Sequence, residues 1–269
     1  MDEIQELQRI ELGILLDVAA LCREHGIPFF LGEGTLLGAV RHHGFIPWDD
    51  DVDLLMMRED YERFLAIAPA LLAPKYEVQH PATVKNYWSP FIKVRLVEGE
   101  QKYRQQHIAH LTDHNGPYID IFPMESVPSD HGFGHWLQGQ TIRLFRTMLT
   151  LKLGLRPPRS AKQRVVGLLG ALVPVRLIHR VLHCAFTWYN GRPDNHFTAT
   201  LASYQSLRAR TAPSTVYERT EMVAFEGHPM PVPGEYDFLL THIYGDYMTP
   251  PPPEKRVIKH SFNSAEFDG

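Results

Sequence analysis

Three aspartates at alternate positions, Asp49, Asp51 and Asp53, lie close together in one short stretch of the sequence. Asp51 and Asp53 stand at the start of an apolar segment, residues 52–57, that is typical of a buried strand. Side chains two residues apart in a strand point to the same face, and Asp49 continues that row if the chain is already extended there. Carboxylates crowded on one face repel one another, and a divalent cation such as Mg²⁺ removes the repulsion. The spacing therefore predicts a metal site.

A fourth acid stands alone in another apolar segment. Asp120 lies in the predicted strand 118–122, where a buried, unpaired carboxylate would be costly. A neighbouring strand that brings Asp120 beside Asp51 and Asp53 would give it a cation to bind. Such a set of carboxylates is the geometry of two-metal phosphoryl transfer. The alternative is that these aspartates cap a loop or bind calcium structurally.

A glycine turn precedes the aspartates. Gly32 and Gly34 follow the short apolar segment 27–31, and Thr35 is placed to cap a helix over 36–41. A glycine turn that opens a helix offers backbone N–H groups and a helix N-terminus to a phosphate. This turn, then paired strand aspartates, then a lone strand aspartate is the layout of nucleotidyltransferase-fold enzymes.

Three cationic side chains lie near these acids in the predicted elements. Arg41 ends the helix that the glycine turn opens, where it could pair with a phosphate or with Asp49 or Asp50. Lys93 and Arg95 share one face of a predicted strand, and two like charges on one face suit an anion such as a diphosphate. The alternative for this pair is ion pairing with the nearby carboxylates.

Hydrophobic periodicity and chain breakers predict the elements that position these residues. Helices are predicted at 2–25, 60–72 and 234–244. Strands are predicted at 27–31, 52–57, 76–79, 91–97 and 118–122. Residues 131–190 show helical patterning that is broken at Pro157, Pro158 and Pro174, and residues 229–233 are read as a breaker segment. The prediction is an α+β chain with a nucleotidyltransferase-like fold, in which a small mixed β-sheet flanked by helices is followed by a helical C-terminal region.

Composition limits the classes of function. The formal net charge is −4 and there is no long basic run, which argues against a nucleic-acid partner. Cys22 and Cys184 are expected to be small buried hydrophobic residues in a reducing compartment. Because no secretory signal and no apolar stretch of about 18 residues is present, we expect a soluble, cytoplasmic protein. The leucine- and arginine-bearing helices between 137 and 183 either pack on the sheet or rest on the inner face of a membrane.

Three blocks of the sequence resemble the LicD family. Residues 34–53 (GTLLGAVRHHGFIPWDDDVD), 115–124 (NGPYIDIFPM) and 244–256 occur in the order of that family's motifs. The family includes bacterial phosphocholine transferases and is related to fukutin-type phosphoribitol transferases. The resemblance covers most of the chain and is weak over about 130–225. It divides the chain into a catalytic core, 1–128, and a mostly helical region, 129–269, whose C-terminal segment returns to the active site.

The resemblance implies a metal-dependent transfer of a phospho-substituent, phosphocholine in the first place, from a CDP-activated donor to a hydroxyl of a cell-surface glycan or glycolipid precursor. CMP would leave, and Mg²⁺ would be the metal, with Mn²⁺ as an alternative. Asp51, Asp53 and Asp120 match the family's catalytic carboxylates, and Asp49 an additional acid beside them. CDP-ribitol and CDP-glycerol remain alternative donors, and an inactive nucleotide-binding assembly protein remains an alternative of another class.

The resemblance also implies which residues would bind the donor. They are Gly34, Thr35, Arg41, Lys93, Arg95, Lys255 and Arg256. Lys255, Arg256 and His260 would fold back over the site, unless they form a solvated tail. Glu33 stands where glycine is common in the family, and an acid there would suit a cationic donor group such as choline.

Several aromatic and histidine side chains flank the acids. Trp48 and Tyr118 could stack on cytosine or bind a quaternary ammonium, and the alternative is core packing. His107, His110 and His114 could bind zinc, contact substrate from a loop, or be solvated.

Overall fold

A mixed β-sheet forms the centre of the molecule. In the computed structural model, residues 3–98, 105, 108–128, 132–192, 195–203 and 211–256 are described. The strands of the central sheet are β1 (Phe30–Leu31), β2 (Asp53–Met57), β3 (Tyr76–Gln79), β4 (Ile92–Leu96), β5 (Tyr118–Val127), β6 (Phe197–Ala199) and β7 (Thr211–Pro213). The first five lie in the order β1-β2-β5-β4-β3, β6 pairs with β5, and β7 pairs with β6. Only β2 and β5 run parallel among these pairs, so the predicted mixed sheet and the α+β class are confirmed.

Helices surround this sheet. They are α1 (Glu3–Glu24), α2 (Glu33–His42), α3 (Arg58–Leu71), α4 (Phe133–Lys152), α5 (Ala161–Leu172), α6 (Val175–Phe186) and α7 (Tyr236–Tyr244). Both α1 and α3 pack against β5. Because β2 and β5 are buried on both faces, they read in the sequence as nearly continuous apolar runs. The acids that interrupt these runs are therefore conspicuous.

The helical region after β5 has the breaks that the prolines predict. Ser160 caps α5 by accepting a hydrogen bond from the Gln163 N–H, and Pro174 immediately precedes α6. Within the described ranges, no single helix has the length and apolarity to cross a bilayer. Taken together, α5 and residues 175–189 have that length and apolarity, but a bend of 112° separates the two helical segments.

The prediction of a breaker segment at 229–233 is wrong. A separate hairpin is formed by β8 (Thr220–Phe225) and β9 (His228–Pro233). Pro229, Pro231 and Pro233 fall at every second position, so their missing N–H groups all belong to the same edge of β9. Met230 and Val232, between them, keep their donors for the ladder with β8. The turn at Glu226–Gly227 has positive φ at both residues, as a tight two-residue hairpin requires.

Other expectations also need correction. The Leu36 N–H donates to the Gly32 carbonyl at 2.8 Å, which starts α2 before Thr35, so Thr35 is not the helix cap. Cys22 is buried as expected, whereas Cys184 is exposed because it lies on the outer side of α6. Sequence patterns did not predict β6 and β7, which are only three residues long each. The division of the chain at residue 128 stays a prediction.

Candidate active site

An acidic loop leads from α2 into β2. Its three consecutive acids, Asp49, Asp50 and Asp51, form what we call the acidic cluster, in which one carboxylate oxygen from each lies within 4.8 Å of the others. Because β2 begins only at Asp53, the alternation of faces expected of a strand does not hold before it. Asp50 therefore joins the cluster, although the strand pattern had set it apart from Asp49 and Asp51. Three neighbouring acids were the signal available for it in the sequence.

Asp53 and Asp120 lie side by side on neighbouring strands. They are register partners in the parallel pair β2 and β5, and both side chains are buried. The Asp120 N–H donates to the Val52 carbonyl at 2.8 Å, and the Gly32 N–H donates to the Asp53 carbonyl at 2.9 Å. The structure thus brings the lone strand acid next to the first acid of β2, as the sequence predicts. Their catalytic role stays a prediction.

Lys93 supplies a buried positive charge to this pair. Its Nζ lies 2.6 Å and 2.9 Å from the two Asp120 carboxylate oxygens, and 3.7 Å from the centre of the Tyr118 ring. Burial lowers the pKa of Lys93, and Asp120 opposes that shift. Burial also raises the pKa of Asp53, with the charges of Asp51 and Asp120 adding to the rise. Of the two alternatives for Lys93, the structure shows ion pairing with a carboxylate.

Arg95 does not reach the open part of the site. The side chain is fully buried beneath it, and its guanidinium donates to Gln79 Oε1 at 2.9 Å, to Gln105 Oε1 at 3.0 Å and to the Gly116 carbonyl. Its Cζ lies 4.5 Å from the centre of the Tyr118 ring. The predicted contact with a diphosphate is therefore not supported, because these donors are used inside the protein. Tyr118 is likewise core, held between Lys93 and Arg95.

The glycine turn holds the acids in place. A Cβ at Gly34 would lie 2.4 Å from Asp49 Oδ2, so only glycine lets this carboxylate rest against the first turn of α2. Thr35 is buried, and its Oγ1 accepts a hydrogen bond from the Asp53 N–H at 2.9 Å. In this structure Thr35 therefore supports β2, and its contact with the donor stays a prediction. Binding of a phosphate at Gly34 stays a prediction.

Contacts from both sides fix the loop that carries the acidic cluster. Gln8 of α1 donates from Nε2 to the Asp49 carbonyl at 2.8 Å and to the Ile46 carbonyl at 3.2 Å. From the other side, Glu226 at the hairpin tip accepts from the Phe45 N–H at 3.0 Å. A Cβ at Gly44 would lie 2.0 Å from Glu226 Oε1, which explains a glycine there. Neither Gln8 nor Glu226 was singled out in the sequence.

Two arginines approach the edge of the site from different parts of the chain. Arg41 donates from Nη1 to the Tyr247 carbonyl at 2.7 Å, which ties α2 to the C-terminal block. The guanidinium carbon of Arg256 lies 5.0 Å from the centre of the ring of Trp48, the residue that directly precedes Asp49 in the sequence. The charges of Arg256 and Asp49 both act on Arg41. Lys255 is exposed, and His260 lies outside the described residues.

Glu11 of α1 is an acid that sequence patterns missed. It is 1% exposed, and neither carboxylate oxygen has a hydrogen-bond partner among the described residues. Burial raises the pKa of Glu11 well above its ordinary value, and the charge of Asp51 raises it further, followed by Asp50, Asp49 and Asp120. A glutamate in an amphipathic helix normally belongs to the solvated face, so no local pattern singles out Glu11.

The residues present fit a divalent cation. The acidic cluster offers three carboxylate oxygens within 4.8 Å of one another, and Glu11 adds buried oxygens that no donor in the described ranges satisfies. The histidines do not offer an alternative metal site among the described residues. His110 contacts the Leu153 carbonyl at 2.9 Å, and His114 lies 3.3 Å from Glu77. His107 lies outside the described residues.

The sequence is similar to known proteins at the level of the domain and of the whole chain. Residues 26–159 match the nucleotidyltransferase domain described as LicD/FKTN/FKRP. The chain is 27% identical over 273 residues to the lipopolysaccharide cholinephosphotransferase LicD of Haemophilus influenzae, a match that covers 96% of each protein. Shorter matches to uncharacterized proteins of Rickettsia typhi (40% identity) and Rickettsia prowazekii (39%) cover 29% and 25% of this chain and 25% of each of those proteins. The matched domain contains the acidic cluster, Asp53 and Asp120, and the chain belongs to the LicD family.

Proposed function

We propose that this chain transfers phosphocholine from CDP-choline to a hydroxyl of a glycan or glycolipid precursor, with release of CMP. The similarity to a lipopolysaccharide cholinephosphotransferase over 96% of both chains carries the proposal. The clustered carboxylates around Asp53 and Asp120 support it, because phosphoryl transfer depends chiefly on positioning and on neutralising charge. The protein is thus a transferase of the LicD family. The donor and the transferred group are what we infer for this chain.

In the proposed reaction, the acceptor hydroxyl oxygen forms a bond to the phosphorus that carries choline. The bond from that phosphorus to the bridging oxygen breaks, CMP leaves with the bridging oxygen, and the hydroxyl proton passes to a carboxylate of the site. Arg41 and Arg256 lie at the edge of the site beside Asp49, where they can bind donor phosphates. Lys93 forms a buried ion pair with Asp120, the register partner of Asp53.

A divalent cation, Mg²⁺ or Mn²⁺, belongs to this proposal. Asp49, Asp51, Asp53 and Asp120 would hold it, and Asp50 lies close enough to take part. When bound, the ion neutralises charge on the phosphates and orients them. The protein's own contribution is to fix the carboxylates through Gln8, Thr35 and the strand register.

Release of CMP is the direct test. We would incubate the protein with CDP-choline, Mg²⁺ and a lipopolysaccharide acceptor, and compare Asp51→Asn with the exposed control Asp113→Asn. Asp51→Asn should lose most of the rate while retaining its fold, and the control should not change. Full activity in Asp51→Asn, or no turnover of CDP-choline by the wild type, would disprove the proposal.

We also infer that α5 rests on an anionic membrane surface at the inner face, where a lipid-linked acceptor would be presented. Val165, Leu168, Leu169 and Leu172 recur at helical spacing on α5 and are 56% to 83% exposed. Gly170, which packs against Met148, is the buried residue of this helix. An exposed apolar stripe of this kind is typical of interfacial helices.

The charge of the surrounding sequence supports this contact. Residues 131–192 contain ten Lys and Arg residues and no Asp or Glu, whereas the whole chain has a net charge of −4. Lys162, Arg164 and Arg176 are exposed beside the stripe. Lysine and arginine near a membrane attract anionic lipids with about 1 kcal/mol each. Charge and apolar exposure therefore coincide on the same segment.

Vesicle sedimentation tests the membrane contact. The wild type should sediment with phosphatidylglycerol-containing vesicles, and less so in high salt. Leu168→Glu with Leu172→Glu should reduce binding at least tenfold, whereas Met222→Glu with Phe238→Glu, at exposed apolar sites elsewhere, should not. Equal binding by both double variants would contradict the assignment to α5.

A further inference from the structure

Glu11 lies on the face of α1 that contacts the acidic loop. Gln8, one helical turn earlier, donates hydrogen bonds to the Asp49 and Ile46 carbonyls, so this face of α1 is held directly against the loop. The Glu11 side chain, three residues after Gln8 and on the same face of the helix, is 1% exposed. The charges that act most strongly on its carboxyl belong to Asp51, Asp50 and Asp49, in that order.

The surroundings of Glu11 are unusual for a buried acid. Neither of its oxygens accepts a hydrogen bond from any described residue. A buried carboxyl normally has a cation or several donors, since an unpaired one costs free energy. Lys93, the buried cation nearest the strand acids, has its ammonium within hydrogen-bond distance of both oxygens of Asp120. The charged groups that act on Glu11 are themselves carboxylates.

We propose that Glu11 is an additional ligand of the divalent cation, which it binds from α1 together with the acidic cluster. A divalent ion placed between Glu11 and Asp49–Asp51 would give the Glu11 carboxylate, which accepts no hydrogen bond from any described residue, a positive charge to bind. It would also reduce the repulsion among the neighbouring carboxylates. This inference rests on the metal site of the proposed function and not on the choice of donor. It extends the site to α1, outside residues 26–159 that match the family domain.

Mn²⁺ binding in the absence of any donor tests this proposal. We would titrate the purified full chain with Mn²⁺ and follow the free ion by electron paramagnetic resonance. Glu11→Gln should weaken Mn²⁺ binding at least tenfold, because a neutral amide replaces a charged ligand. Glu11→Asp should fall between Glu11→Gln and the wild type. Glu24→Gln, an exposed glutamate of the same helix, should bind as the wild type does.

Melting temperature gives a second and independent readout. Without divalent ions, Glu11→Gln should melt above the wild type, because it removes a buried carboxyl that lacks partners. The rise in melting temperature on adding Mg²⁺ should be smaller in Glu11→Gln than in the wild type. A structural role alone would not give these two opposite effects.

The outcomes separate this inference from the proposed function. If the wild type binds Mn²⁺ and Glu11→Gln binds it equally well, Glu11 is not a ligand, and the proposed transfer reaction is unaffected. If the wild type binds no Mn²⁺, the metal site itself is wrong. If Glu11→Gln loses Mn²⁺ binding and the wild type does not turn over CDP-choline, the assignment of Glu11 as a ligand stands and the assignment of the donor fails.

Discussion

Replacing Lys93 by methionine should destabilise the protein strongly, because the lysine forms a buried ion pair. Its Nζ lies 2.6 Å from Asp120 Oδ1, and the two side chains are only 8% and 10% exposed. At that distance, Coulomb attraction is about 6 kcal/mol for an effective dielectric constant near 20. Rehydration and partial protonation of the remaining acids offset part of this. We therefore expect a loss of about 3–5 kcal/mol, as for other buried pairs that lose one partner.

Lys75 provides a matched control for Lys93. Its Nζ also lies 2.6 Å from a carboxylate oxygen, that of Asp17, but these side chains are 62% and 44% exposed. Exposed pairs contribute about 0–1 kcal/mol. Urea unfolding in EDTA, which keeps metal ions from replacing the lost charge, should separate Lys93→Met from Lys75→Met by several kcal/mol. Equal losses below about 1 kcal/mol in both variants would refute the argument that burial makes the Asp120 pair strong.

Two further changes test the site and the core. Gly34→Ala should weaken Mn²⁺ binding and slow turnover at little cost in stability, because the new Cβ would displace the flexible Asp49 carboxylate. Gly13→Ala is the control, since a Cβ at Gly13 would have nothing within 4 Å. Unchanged Mn²⁺ affinity in Gly34→Ala would count against this role of Asp49. Burial lowers the pKa of His80 to about 3 from an ordinary 6.5, so the unfolded chain takes up a proton that the folded one does not as the pH falls from 6.5. The contribution of His80 to the free energy of unfolding should be fully present above pH 6.5 and should be lost as the pH falls toward 3. Its slope should reach up to about 1.4 kcal/mol per pH unit. His80→Asn should show a correspondingly shallower slope in urea unfolding between pH 6.5 and 5, and an unchanged slope would mean that the His80 ring is protonated in the fold.

Sequence patterns predicted the parts of the site that depend on strand alternation and on turns. Asp53 and Asp120 interrupt buried strands, so their positions follow from a local pattern, and the structure pairs them in register. Asp50 was missed because the alternation of strand faces was applied to Asp49 and Asp51, whereas β2 begins only at Asp53. Arg95 shares a strand face with Lys93, yet local spacing could not show that Gln79, Gln105 and Gly116 take up its donors.

The remaining features depend on contacts between distant segments. Glu11 looks like an ordinary surface residue of an amphipathic helix until α1 is packed against the acidic loop. Glu226 reaches Phe45 from a hairpin whose prolines hide a strand. Arg256 reaches Trp48 across about 200 positions of sequence, a contact for which no local pattern exists.

Detection of the transferred group by ³¹P NMR tests the central claim most directly. The protein would be incubated with Mg²⁺, a lipopolysaccharide acceptor and, in separate reactions, CDP-choline, CDP-ribitol or CDP-glycerol. We predict a phosphodiester signal on the acceptor, matched by CMP, with CDP-choline alone, and its loss on adding EDTA. A product from CDP-ribitol or CDP-glycerol but not from CDP-choline would contradict the assigned donor, and no product from any of the three would contradict the account as a whole.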